Sequence, residues 1–119
     1  LELVQIVFRH GDRTPVVVYP NDQYNVSYWD KYGGLGQLTQ LGMQQHYQYG
    51  QFLRQRYSNF LNVMYNRDRV YVHCTDYDRT QMSAQSLLAS LYKPVDDQIW
   101  NKDVLWQPIP VHTSNWERV

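Results

Sequence analysis

The near-continuous apolar run Leu3-Val4-Gln5-Ile6-Val7-Phe8 stops at Arg9-His10-Gly11-Asp12-Arg13-Thr14-Pro15, and no other stretch constrains the fold as much as this junction. Apolar character with β-branched residues predicts a strand over residues 3–8, buried in a sheet covered on both faces. Gly11 and Pro15 break the run and open a loop. That loop places an imidazole between two guanidinium groups. Histidine is the side chain whose ordinary pKa lets it be a neutral nucleophile or a proton carrier near physiological pH. Arginine stays charged, and its planar fork matches the oxygens of a phosphate. On these residues alone two readings stand: a device for attacking phosphorus, or a basic turn in which His10 only hydrogen-bonds its neighbours.

Beyond the loop, residues 16–38 are rich in Tyr, Asn, Asp and Gly without a helical or strand period, and are expected to be irregular. Thr39 is a predicted N-cap for a helix to about Tyr57, because Met43, His46, Tyr47, Gly50, Leu53 and Tyr57 recur at three- and four-residue steps. That stripe is expected to pack on the sheet, with His46 as a structural histidine. A second strand is predicted over Arg69–Cys74, with His73 inside it. Thr75 then reads as an N-cap, with Asp78 as an acidic capping-box partner, for a helix carrying Met82, Leu87, Leu88 and Leu91. The order of elements implies a parallel βαβ unit. Leu105 to Val111 carries Pro108 and Pro110, which cannot donate to a ladder, so it reads as an edge segment. The loop after the first strand and Arg79 after the second then face one crevice at the carboxyl ends of the strands, beside a helix N-terminus suited to anions.

Eleven basic and eleven acidic residues give a formal charge of zero, so no global field draws the chain to nucleic acid. No apolar run approaches the ~20 residues that span a bilayer. Cys74 is the only cysteine and makes no internal disulfide. The eleven tyrosines and four tryptophans are expected to serve packing. Asn25-Val26-Ser27 is an N-glycosylation sequon in a polar loop. There is no Cys/His cluster and no His-x-x-x-His helix with metal-site spacing.

The seven-residue loop resembles the R-H-G-x-R-x-P signature of the histidine acid phosphatases, a branch of the histidine phosphatase superfamily. The likeness extends to Gly36-Gln37-Leu38-Thr39-Gln40-Leu41-Gly42-Met43, to Thr75-Asp76-Tyr77-Asp78-Arg79-Thr80 with Met82-Ser83, and to Trp106-Gln107-Pro108-Ile109-Pro110-Val111-His112-Thr113. These segments are similar to those of the family's animal members, in the family's order and at nearly its spacing. The resemblance runs from about Leu3 to about Thr113 and leaves residues 114–119 unplaced.

The resemblance implies a parallel-sheet, three-layer α/β fold of the phosphoglycerate-mutase type. Residues 1–119 would be the N-terminal part of a single domain whose C-terminal part is absent. It further implies an acid phosphatase in which His10 attacks a small-molecule phosphomonoester and becomes a phosphohistidine that water then cleaves. Arg9, Arg13 and Arg79 would hold the phosphate oxygens, and no metal or cofactor is implied. In this family the proton donor comes from a His-Asp pair far downstream, and no His-Asp dipeptide occurs in these 119 residues. Asp12 is therefore expected to be a helper or salt-bridge partner at most, and His112 a possible auxiliary or a structural hydrogen-bonder. The implied setting is lysosomal or secreted, with which the Asn25 sequon agrees. The phosphoglycerate-mutase branch shares Arg-His-Gly but lacks the Arg13-x-Pro15 continuation. Phytases and inositol-polyphosphate phosphatases share the heptad, and a truncated, non-catalytic secreted or interaction fragment is the alternative from another class.

Overall fold

The computed structural model describes residues 1–114; of the unplaced segment 114–119, residues 115–119 lie outside the described residues. Two helices make the centre of the fold. The first, α1, spans Gln40–Arg56, and its N-cap is Thr39 as expected: the hydroxyl accepts the Gly42 N–H at 3.1 Å. The second, α2, spans Asp78–Leu91. The buried positions of α1 are Gly42, His46, Gly50 and Leu53, a stripe at three- and four-residue steps, and α1 packs on α2 through its Gly50 end. Contact is close because Gly50 has no side chain. A Cβ there would run into Ser90 Oγ and the backbone carbonyl of Leu87. Ser90 Oγ uses this proximity to donate to the Tyr47 carbonyl at 2.6 Å.

Leu53, Leu87, Leu88, Leu91 and Tyr92 form the buried core. Three extended segments add alternate residues to it: Ile6 and Phe8, Val70 and Val72, Ile109 and Val111. Period-two burial is what a pleated layer with one covered face requires. The opposite faces stay open, with Leu3 68% exposed, Val7 100% and Tyr71 73%. The expected strand at 3–8 is thus extended and half-packed, neither covered on both faces nor part of a ladder among the described residues.

Among the described residues, ladder pairing is confined to β1, His73–Thr75, and β2, His112–Ser114, which run parallel with His73 opposite His112. β1 takes only the last two residues of the predicted segment 69–74 and extends one beyond it, and β2 begins just after 105–111. The prolines explain the shift. Continued backwards, the register would set Tyr71 against Pro110 and Arg69 against Pro108, and a proline has no N–H to give. The β1-α2-β2 order with parallel strands is the α/β arrangement expected, reduced to two paired strands. Because Thr75 is held in β1, it is not the α2 N-cap. That position falls to Tyr77, which makes no side-chain cap bond, while Thr80 Oγ1 lies 2.6 Å from the Thr75 carbonyl oxygen. The irregular stretch 16–38 contains one element the sequence pattern did not announce, a 3-10 helix over Val26–Tyr32 capped by Asn25. Among the described residues no helix is long and apolar enough to cross a membrane.

Replacing Gly50 with Ala is expected to lower the unfolding midpoint of the protein. Overpacking at a tight helix contact costs about 1–3 kcal/mol, more than the ~1 kcal/mol that Ala gains over Gly in a helix. A thermal or denaturant melt checks this; an equal or higher midpoint would contradict the close contact of α1 with α2.

Candidate active site

The loop 9–15 is seated by its backbone. A Cβ on Gly11 would meet the Gly42 carbonyl oxygen at 2.5 Å and Gly42 Cα at 2.8 Å. A Cβ on Gly42 would in turn meet the Asp12 nitrogen at 2.8 Å. Main chain therefore lies directly on main chain, the loop against the first turn of α1. Hydrogen bonds from three sides hold this contact. The Gly11 N–H donates to Ser83 Oγ at 3.1 Å, and that hydroxyl donates to the Arg79 carbonyl at 2.6 Å. The Asp12 N–H donates to Gln45 Oε1 at 2.9 Å, and the Thr39 N–H to the Asp12 carbonyl at 2.9 Å. Further along, Thr14 N–H donates to the Gln37 carbonyl and Gly36 N–H to the Pro15 carbonyl, both at 2.9 Å.

Within this frame the His10 ring is half-buried, and its Nδ1 lies 2.7 Å from the Gly11 carbonyl oxygen. A carbonyl only accepts, so Nδ1 carries the proton and Nε2 of the neutral ring keeps its lone pair. The ring borders a cleft of about 380 Å³ lined by Arg9, His10, Gly11, Asp12, Arg13 and Gln45. Arg13 Nη1 donates to the Thr14 carbonyl at 2.9 Å, while its Nε is buried with no partner among the described residues. Buried donors are almost always satisfied, so an unpaired guanidinium N–H marks a place for an acceptor.

The expected convergence of Arg79 on this loop is met in part. Ser83, one turn after Arg79, is bonded to Gly11, so α2 and the loop are physically joined. The Arg79 side chain itself reaches the Gly36 carbonyl at 3.4 Å and lies over the Tyr77 ring at 4.6 Å, with Nε buried and unpartnered among the described residues. It is not among the residues lining the cleft. Asp12, expected to be a helper or salt-bridge partner at most, makes no salt bridge: its carboxylate accepts the Thr39 hydroxyl at 2.7 Å, and the one ion pair among the described residues is Arg67 with Asp68. Asp12 braces the loop through the α1 N-cap hydroxyl. His112 does not join the cleft. As the first residue of β2 it stacks its exposed ring on Tyr71, centroids 4.8 Å apart and planes 8° from parallel. Among the described residues no group of three or more His, Cys, Asp or Glu side chains is arranged to hold a metal ion.

His46 occupies the expected structural position. It is buried against Phe8, ring centroids 5.2 Å apart, and its Nε2–H donates to the Arg9 carbonyl at 2.8 Å. Burial pushes its pKa below the ordinary value of 6.5; the hydrogen bond to Arg9 opposes this shift, and the neighbouring His10 adds to it. Two residues of the site, Ser83 and Gln45, escaped the sequence reading. Ser83 lay in a quoted segment without a role, and the i, i+4 spacing of Gln45 from Leu41 carries no chemical signal.

The model of the histidine phosphatase superfamily, branch 2, matches residues 1–117. The chain belongs to this superfamily. It is 56% identical over 113 residues to bovine (Bos taurus) prostatic acid phosphatase and 53% identical to the human (Homo sapiens) one, in each case covering 95% of this chain and 29% of the relative. Lysosomal acid phosphatase of Xenopus laevis is 55% identical over 113 residues, with 95% of this chain and 26% of the relative covered. The chain thus spans less than a third of the length of these relatives.

The His46 arrangement sets a pH dependence. The unfolded ring takes up a proton near pH 6.5, but the buried ring does so only at lower pH. In that window the unfolded state binds more protons, so stability falls as the pH drops. Melts at a series of pH values are expected to show this decline below about pH 6.5, and His46→Gln, which keeps an N–H for the Arg9 carbonyl, to make it shallower. Equal slopes for the two proteins would contradict the assignment.

Proposed function

We propose that this chain carries the nucleophile and phosphate-cradling part of an acid phosphatase that hydrolyses phosphomonoesters through a phosphohistidine at His10, and that it is the N-terminal part of one catalytic domain. The observation that carries the proposal is the orientation of His10: Nδ1 is committed to the Gly11 carbonyl, and the ring borders a cleft shared with Arg9 and Arg13. In-line attack by the Nε2 lone pair on phosphorus forms the N–P bond as the ester P–O bond breaks. The departing alkoxide takes a proton from an acid, and water then cleaves the N–P bond, releasing inorganic phosphate and restoring the neutral ring. The Nδ1–H bond to the carbonyl stabilises the positive charge the ring acquires when Nε2 is phosphorylated.

Arg9 and Arg13, with Arg79 reaching the same loop system from α2, bind the non-bridging oxygens and offset the charge that builds in the transition state. The buried, unpartnered Nε of Arg13, a residue that lines the cleft, supports this role, since it is a charged donor without an acceptor. The substrates are small phosphomonoesters. A lysosomal or secreted setting is supported by the relatives and by Asn25, an exposed sequon residue whose Oδ1 is occupied by the Tyr28 N–H and the Ser27 hydroxyl.

In the intact protein, His10→Ala is expected to abolish both turnover of an aryl phosphate and phosphoryl labelling of the chain. Substantial turnover by that variant would overturn the proposal.

A further inference from the structure

We propose that Gln45 is a phosphate-binding residue of this cleft, supplying a neutral amide donor beside the arginines; the inference rests on the reading of the cleft as a phosphate site. Gln45 lies in the second turn of α1 and is one of the six residues, His10 among them, that line the cleft. Its amide has a fixed orientation. The Asp12 main-chain nitrogen is a donor, so the atom facing it at 2.9 Å must be the acceptor Oε1. Nε2 with both its protons is therefore turned away from Asp12, and it makes no hydrogen bond among the described residues.

The anchor is rigid because Asp12 is pinned on three sides. Its N–H is held by Gln45, its carbonyl by the Thr39 N–H and its carboxylate by the Thr39 hydroxyl. Oε1 and the Asp12 N–H thus hold the amide, and α1 contributes it to the lining of the cleft beside the loop that carries the arginines. An amide suits this position. It donates to an anionic oxygen without adding charge to a site already bordered by two guanidinium groups, and it does not compete with them for the Asp12 carboxylate.

Two substitutions separate this role from a purely structural one. Gln45→Ala removes both the anchor to Asp12 and the donor, whereas Gln45→Glu keeps an oxygen for the Asp12 N–H but replaces the donor with a negative charge. Both residues are good helix formers at an exposed position, so folding is preserved. Competitive inhibition by inorganic phosphate is measured in the intact protein at a pH above the carboxylate range. The expected result is about tenfold or more weaker inhibition for Gln45→Ala, and inhibition at least as weak for Gln45→Glu. An unchanged inhibition constant in Gln45→Ala overturns the inference, as does recovery towards the unsubstituted value in Gln45→Glu, which would assign Gln45 to bracing Asp12 alone. Turnover retained by His10→Ala, or no inhibition of the unsubstituted protein by phosphate, would defeat the underlying reading of the cleft instead.

Discussion

The site depends on a contact between two pieces of main chain. Gly11 in the loop and Gly42 in the first turn of α1 approach so closely that neither position has room for a Cβ. Side chains flex, but a backbone-to-backbone contact has little play, because moving it means moving a helix. Everything the loop presents is therefore referenced to the α1 axis. The Thr39 cap, the Gln45 amide and the Ser83 hydroxyl then fix rotation about that contact by taking up the polar atoms of residues 11 and 12. A loop bearing two arginines around a histidine would otherwise splay apart by charge repulsion and solvation.

From that seating follows the chemical character of His10. The Gly11 carbonyl is aimed at Nδ1, which selects one tautomer and leaves the lone pair on the other ring nitrogen. His46 works one residue upstream, holding the Arg9 carbonyl from the buried side of the molecule. Both imidazoles are used through one N–H each, yet their settings differ. His46 is enclosed by Phe8 and the helices, which disfavours its charge, while His10 borders an open cleft flanked by cations. The same side-chain chemistry thus yields a brace in one position and a candidate nucleophile in the other.

Much of this was legible in the sequence, for physical reasons that can be traced. The α1 helix announced itself through Thr39 and a stripe at three- and four-residue steps, because helix burial is set by local periodicity. The extended character of residues 4–8, 70–72 and 109–111 was legible in their apolar, β-branched composition, but the alternating burial was not, since residues 3–8 read as a run covered on both faces. The extent of the ladder was not: pairing depends on the register between segments some forty residues apart, and there the prolines of one strand silence the other. Thr75 satisfied a capping pattern but was claimed by the ladder first. The heptad singled out His10, Arg9 and Arg13 as candidates, and the three line one cleft. Ser83 and Gln45 entered the site through partners 72 and 33 residues away, a relation no short motif encodes. His112, attractive as a histidine in a matched segment, was taken up by stacking on Tyr71.

The commitment of Nδ1 to the Gly11 carbonyl is tested most directly by locating the phosphoryl group on the imidazole. Phosphorus–nitrogen correlation NMR on the trapped phosphoenzyme, with nitrogen-labelled histidine, distinguishes the two ring positions. The geometry predicts a single species phosphorylated at Nε2 of His10 with Nδ1 still protonated. Phosphorylation at Nδ1, or at His46 or another residue, would contradict it.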